Sequence, residues 1–273
     1  MNMRAAILRD HKLSMPIECV AIDEPRADEV LVRIVATGIC HTDIKVAMVP
    51  GLSPRPIVLG HEGSGIVEKI GSNVRKLAVG DHVVLTFDSC GRCPTCVSGK
   101  PAYCYEVREV CFGGKRLDGS TTLSCNHAPV HGNFFGQSSF ATHALANERN
   151  AIKVRKDAPL ELLGPLGCGL QTGAGAVLNS FGLRPGQTIA VFGTGAVGLA
   201  AVMAARIAGA SKIFAIDVAD ERLAMAKELG ATHIINGKNE NALALIMAET
   251  GRGVDYSLDT TAVDAVATQA IDC

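Results

Sequence analysis

The sequence predicts an α/β protein in two parts, a small β-barrel followed by a doubly wound parallel sheet. Three observations carry this. Up to about residue 165, short runs of alternating apolar residues are separated by Gly turns. From about residue 170, strands alternate with helices of about a dozen residues. A Gly-x-Gly-x-x-Gly triplet lies on the first strand-to-helix turn of that second part. The 273 residues supply core enough for two domains, expected at 1–170 and 171–273.

In the first part, "EVLVRIVATGIC" alternates Val30, Val32, Ile34 and Ala36, the period of a half-buried strand. "GIVEKIGSNVRKLAVGDHVVL" reads as a strand, a Gly-Ser-Asn turn and a returning strand. "SSFATHALANERNAIKV" adds two more. In the second part "QTIAVFG", "SKIFAID", "THIIN" and "VDYSLDT" read as strands. Between them "AVGLAAVMAARIAGA", "ADERLAMAKELG" and "NALALIMAETG" read as helices. The boundary is expected near "GLQTGAGAVLNSFGLRPGQ", a helix closed by a Pro-Gly turn.

A net charge of −1 leaves no electrostatic footprint for nucleic acid or a membrane surface. The segment "MNMRAAILRD" has no apolar stretch of the secretory kind, and the longest small-apolar run is broken by Arg206. A cytoplasmic location is therefore expected. In a reducing compartment ten cysteines do not form a disulfide framework.

"CGRCPTCVSGKPAYC" sets Cys90, Cys93, Cys96 and Cys104 in a loop broken by Gly91, Pro94, Ser98, Gly99 and Pro101. Disulfides, unrelated buried thiols and a redox pair are the bland alternatives. The close spacing suits a closed tetrahedral thiolate site, with zinc–sulfur bonds of ~2.3 Å. Four ligands leave no open position, so this zinc is expected to be structural. It would stand in for the core that lobe 88–106 lacks.

"VFGTGAVG" places Gly193, Gly195 and Gly198 between a strand and a helix. The first allows the tight turn, the second lets backbone approach a pyrophosphate, and the third lets helix pack on strand. Asp217 ends the next strand, nineteen residues beyond Gly198. A carboxylate there can accept ribose hydroxyls and repel a 2′-phosphate, so NAD is expected over NADP. The alternative is a purely structural turn with an accidental Asp.

Cys40 in "TGICHTD", His61 and Glu62 in "GHEG" and Cys168 in "GPLGCGLQTG" are further candidates, though spacing alone cannot join residues so far apart. Here the whole set of motifs counts. "GICHTD", "GHEGSGIVEKIGSNV", the four-cysteine lobe, "GCGLQTG" and "VFGTGAVG" occur in one order along the whole chain. In this the sequence resembles the zinc-dependent medium-chain alcohol dehydrogenases, and most the aryl-alcohol (benzyl-alcohol) type. The resemblance implies a GroES-like barrel domain and a Rossmann domain.

It also implies a catalytic zinc on Cys40, His61 and Cys168, with Glu62 as an alternating ligand and Asp43 orienting His61. Two zinc ions per chain follow, one catalytic and one structural. Thr42 matches the hydroxyl that takes the alcohol's proton, and Lys45 stands where many relatives end that relay with a histidine. His41 matches a pyrophosphate contact and Thr172 a residue near the nicotinamide. Phe134 and Phe135 are candidates for an aromatic-accepting pocket or for core. His127, His131, Cys111 and Cys125 are read as surface or core residues, and Cys19 and Cys273 have no assigned role.

The resemblance further implies a small alcohol or aldehyde substrate and a homo-oligomer in the full-length form. Members of the family are longer, so the Rossmann part is expected to be incomplete at its C-terminal end. The competing expectation is a non-catalytic zinc- and nucleotide-binding remnant.

Overall fold

The computed structural model describes residues 1–273, in two compact units, Met1–Cys168 and Gly169–Cys273. No helix is long and apolar enough to cross a membrane.

The first unit holds ten strands: β1 Asn2–Leu8, β2 Ile17–Ile22, β3 Glu29–Thr37, β4 Ile57–Val58, β5 Gly63–Ile70, β6 His82–Leu85, β7 Leu123–Cys125, β8 Ala128–Val130, β9 His143–Asn147 and β10 Ala151–Lys153. They form two five-stranded sheets, ordered β4-β1-β2-β7-β8 and β10-β6-β5-β3-β9. All their pairings are antiparallel. The expected barrel is thus two curled sheets around shared cores. Strand β3 shows why. Leu31 packs with Met3, Ile7, Val20 and Val58 of the other sheet, while Val30 and Val32 pack on the opposite face with Val67, Val83 and Leu85. Two register shifts along the β3–β5 pair bend the ladder there.

The second unit is a parallel sheet of β11 Thr188–Phe192, β12 Lys212–Asp217, β13 His233–Asn236 and β14 Tyr256–Asp259, in the order β13-β12-β11-β14. Both faces are covered, as parallel sheets require. Ile189 and Val191 pack with helix Ala196–Ile207 and Ala226 on one face. Ala190 and Phe192 pack with Ala242, Ile246 and Ala270 on the other. Order reverses between β11 and β14, and there a doubly wound sheet opens its crevice for a ligand.

Candidate active site and nucleotide loop

Pairing of Thr37 with Gly63 brings the ends of β3 and β5 side by side, and both strands run straight into candidate ligands. Beyond β3, Cys40 caps helix His41–Met48 and donates its backbone N–H to Asp43 Oδ2 at 3.0 Å. Just before β5 lie His61 and Glu62. Asp43 is buried, and its Oδ1 accepts from Gly60 N at 3.1 Å and from His61 Nδ1 at 3.0 Å. With Nδ1 committed to the carboxylate, His61 Nε2 is buried with no hydrogen-bond partner. Cys168 arrives on the turn Gly164–Gly167, which presses against backbone. A β-carbon on Gly164 would lie 2.2 Å from Glu62 O, and one on Gly167 2.0 Å from Leu85 O.

The ligand atoms of Cys40, His61, Glu62 and Cys168 all lie within 4.8 Å of one another. The two sulfurs are 4.0 Å apart. A tetrahedron with ~2.3 Å zinc–sulfur bonds has edges of about 3.8 Å, so this donor set and the orphaned Nε2 fit zinc. The clustered groups also bias one another's protonation. The neighbouring Cys168 thiol holds Cys40 down to about 3, and Cys168 is pushed well above the thiol range. Burial works against a charged His61, but Asp43 and Cys40 outweigh it and raise the imidazole to about 9. Burial raises Glu62.

A strained segment walls this cluster. Asn133, Phe135 and Ser138 all have positive φ, as does Gly136 between them. Non-glycine residues seldom adopt that region, and side chains rather than composition hold it here. The Phe135 ring stacks on His61 with centroids 4.5 Å apart, and Phe112 and Phe134 meet Phe135 edge-on. Buried Gln137 accepts from Gly63 N at 3.0 Å and donates to His61 O at 2.9 Å, bracketing Glu62.

In the cysteine lobe the sulfurs of Cys90, Cys93, Cys96 and Cys104 also converge within 4.8 Å of one another. Cys90 and Cys96 sulfurs are 3.9 Å apart, again near a zinc–thiolate edge. Backbone amides point inward, from Cys90 to Cys104 Sγ at 3.2 Å and from Cys93 to Cys90 Sγ at 3.3 Å. Such donors stabilise thiolates. The Thr95 hydroxyl lowers Cys93 to about 5, while burial pushes Cys104 to about 12. All ten cysteines are free thiols.

On the nucleotide loop, Gly193 has φ +88°, and its amide donates to Ile216 O at 2.7 Å. A β-carbon on Gly195 would meet nothing within 4 Å, leaving open space at the N-terminus of helix Ala196–Ile207. One on Gly198 would lie 1.8 Å from Gly193 O, so helix and turn touch. Open room beside free helical N–H groups suits a pyrophosphate. Asp217 is buried and already well supplied with donors. Oδ2 accepts from Thr194 N and Oγ1, and Oδ1 accepts from the amides of Val218 and Ala219.

The remaining candidates are more scattered. Thr42 is half-buried in the first turn after Cys40, whereas His41 and Lys45 are exposed. Thr172 is exposed on helix Gly169–Gly175. Cys111 is buried beside Asp88 O, Cys125 faces Glu18, and His131 turns Nδ1 to Gly114 O. His127 and Cys19 are exposed, and Cys273 is half-buried against Ala270 O. Gln137, Thr194 and the Phe135–His61 stack carried no sequence signal, because each depends on a partner distant along the chain.

Two families match the chain. "Alcohol dehydrogenase GroES-like domain" covers residues 26–156 and "Zinc-binding dehydrogenase" residues 196–273. Geraniol dehydrogenase of Castellaniella defragrans is 50% identical over 274 residues, which are 100% of this chain and 73% of that protein. The chain belongs to the zinc-dependent medium-chain alcohol dehydrogenases. Among solved structures, this alcohol dehydrogenase is similar to a zinc-binding domain protein from Burkholderia ambifaria, at 55% identity and a TM-score of 0.96. It is also similar to benzyl alcohol dehydrogenase from Acinetobacter calcoaceticus, at 47% identity and 0.94. Each comparison covers 100% of this chain and 74% of the other.

Proposed function

We propose that this alcohol dehydrogenase oxidises primary alcohols whose carbinol adjoins an unsaturated carbon, aryl alcohols first, to aldehydes with NAD. The observation that carries the reading is the half-buried Phe135 ring stacked on His61, with half-buried Phe112 beside it and Phe134 behind it in the core. A flat, apolar wall of aromatic faces and edges favours a planar substituent over a short alkyl chain. The relatives named for benzyl alcohol and geraniol, both alcohols of this type, support it.

In this reading Cys40, His61 and Cys168 hold the catalytic zinc, Glu62 stands by as an alternating ligand, and Cys90, Cys93, Cys96 and Cys104 hold the structural one. Bound there, zinc supplies a Lewis acid that lowers the pKa of an alcohol hydroxyl. The residues of the chain do the rest. Asp43 fixes the His61 ring by accepting from Nδ1, so that Nε2 faces the cluster. Phe135 covers the ring and excludes water from it. Thr42, two residues beyond Cys40, would accept the alcohol's hydrogen bond on its hydroxyl and pass its own proton on towards the coenzyme ribose. Gly193, Gly195 and Gly198 admit the pyrophosphate, Asp217 sets a negative charge at the ribose end, and His41 and Thr172 contact the coenzyme. A nicotinamide held there would supply the hydride acceptor.

Residues 1–170 then form the zinc catalytic domain, with its structural-zinc lobe at 88–106, and 171–273 the coenzyme domain. Ten free thiols fit the reducing cytoplasm, where the enzyme would work as a homo-oligomer. The test is initial-rate kinetics with benzyl alcohol, geraniol and ethanol, each with NAD. The expected order of kcat/KM is benzyl alcohol, geraniol, ethanol. Ethanol equalling benzyl alcohol would overturn the aromatic-pocket reading, and geraniol leading would replace aryl with allylic alcohols.

A further inference from the structure

At Gly38, beside the candidate zinc site, no backbone demand explains the glycine. Gly38 lies between the end of β3 and Cys40, and its φ is outside the left-handed region, so its conformation is open to any residue. What it lacks is room. A β-carbon there would lie 2.0 Å from Glu62 Oε2, 3.1 Å from Glu62 Cδ and 3.2 Å from Glu62 Cβ. All three nearest atoms belong to one side chain. By contrast, β-carbons on Gly65, Gly164 and Gly167 would strike main-chain carbonyl oxygens.

The main chain of Glu62 cannot move aside. Its carbonyl accepts from Gly38 N at 3.0 Å and is pressed by Gly164. Its flanking peptides are held by Gln137, through His61 O and Gly63 N. The carboxylate is held differently from those of Asp43 and Asp217, which backbone amides pin. Its ligand oxygen lies within 4.8 Å of the Cys168 sulfur, a candidate ligand itself. Its position is therefore set by volume, and the volume is the missing side chain of Gly38.

We propose that Gly38 is a seat for the Glu62 carboxylate, a gap that lets this side chain rest beside the cluster and move onto or off the metal. Gly38 is thus a positioning residue that acts through Glu62. The proposal rests on the reading that Cys40, His61 and Cys168 hold a metal. A carboxylate that shares the fourth position with substrate needs a place to go when substrate enters, and a buried one needs that place inside the protein. Any residue larger than glycine at position 38 removes it.

Cobalt(II) replacing zinc reports its ligand set through its visible absorption, independently of turnover. The difference spectrum between the full chain and its Cys40→Ser variant isolates this site from the four-cysteine one. Gly38→Ala should displace the cobalt bands of this site and change the rate at which a chelator removes the metal. In a Glu62→Ala background the same substitution should change neither, because the carboxylate, whose Oε2 is the atom at 2.0 Å, is gone. Failure of Gly38→Ala to hold metal, with recovery in the Gly38→Ala/Glu62→Ala double variant, would carry the same meaning. Unchanged bands in Gly38→Ala, or an equal effect in both backgrounds, would overturn the seat while leaving the metal reading intact. A full chain with no cobalt–thiolate band dependent on Cys40 would overturn the metal reading, and the seat with it.

Discussion

Thr194 donates twice to one oxygen of Asp217, from its amide at 2.7 Å and from its hydroxyl at 2.9 Å. The amides of Val218 and Ala219 serve the other oxygen at 2.7 and 3.0 Å. A carboxylate offers about four acceptor positions, and here all are in use. Sequence reasoning treats Asp217 as a free acceptor for both ribose hydroxyls. The structure makes it a pinned charge first, one that a ribose hydroxyl can reach only by sharing. Burial pushes this carboxyl up, but the four donors outweigh it and hold the pKa below the ordinary value.

Charge and hydrogen bonding at this position should therefore separate by mutation. Asp217→Gly removes the repulsion and is expected to raise the NADP-to-NAD ratio of kcat/KM by at least tenfold. Thr194→Val keeps the charge and should leave that ratio near its starting value. It should still lower stability by about 1.5–3 kcal/mol, the worth of a hydrogen bond to a charged group. Coenzyme kinetics and urea denaturation measure the two effects. An unmoved ratio in Asp217→Gly would assign ribose recognition to another residue.

The same carboxylate gives a pH dependence with a defined sign. Its folded-state pKa lies below the ordinary 3.8, so its stabilising contribution is present above about pH 3.8 and is lost as pH falls through the folded value. Asp217→Asn has no such group to protonate. Its urea midpoint should fall less steeply in that acid window than that of the unmodified chain. Parallel profiles would mean that the four donors bind the acid and the carboxylate equally well.

Metal analysis should find two zinc ions per chain. Cys93→Ser is expected to lose the zinc of the lobe and open Cys90–Cys104 to protease, since that segment has no core of its own apart from the ion. Cys40→Ser should lose the other zinc and turnover while keeping the far-ultraviolet circular dichroism of the parent. Retention of both ions by Cys40→Ser would remove Cys40 from the ligand set.

How much of this could be read from the sequence depends on how local each feature is. The β11–β14 unit was legible because its strands, helices and Gly turns are patterns within a few residues of one another. The cysteine lobe was legible for the same reason. Cys40 and His61 are joined only by the register of β3 against β5, which no spacing rule contains, so resemblance had to link them. Gln137 gave no signal and Phe135 only the choice of pocket or core, because their contacts are with Gly63, Thr86 and His61, far away in the chain. Positive φ at Phe135 and Ser138 runs against local preference and is held by tertiary bonds, such as Ser138 Oγ to Val58 O at 2.7 Å.

Gln137 offers the sharpest test of that tertiary support. Its amide satisfies two buried backbone groups at once, accepting from Gly63 N and donating to His61 O, and it also donates to Thr86 O at 3.3 Å. Gln137→Leu keeps the volume near constant but takes the partner from Gly63 N and His61 O, at about 1–3 kcal/mol for each one that water cannot reach. Gln137→Glu keeps the acceptor for Gly63 N and sets a carboxylate against two carbonyl oxygens, so it should destabilise at least as much. In both variants the loosened peptides are those on either side of Glu62, while the cysteine lobe keeps its own ligands and amide donors. Chelator-driven metal release should therefore become biphasic, with one zinc leaving at least tenfold faster and the other at the parent rate. Equal acceleration of both ions would point to global unfolding, and no acceleration would show that Asp43 and Phe135 hold His61 unaided.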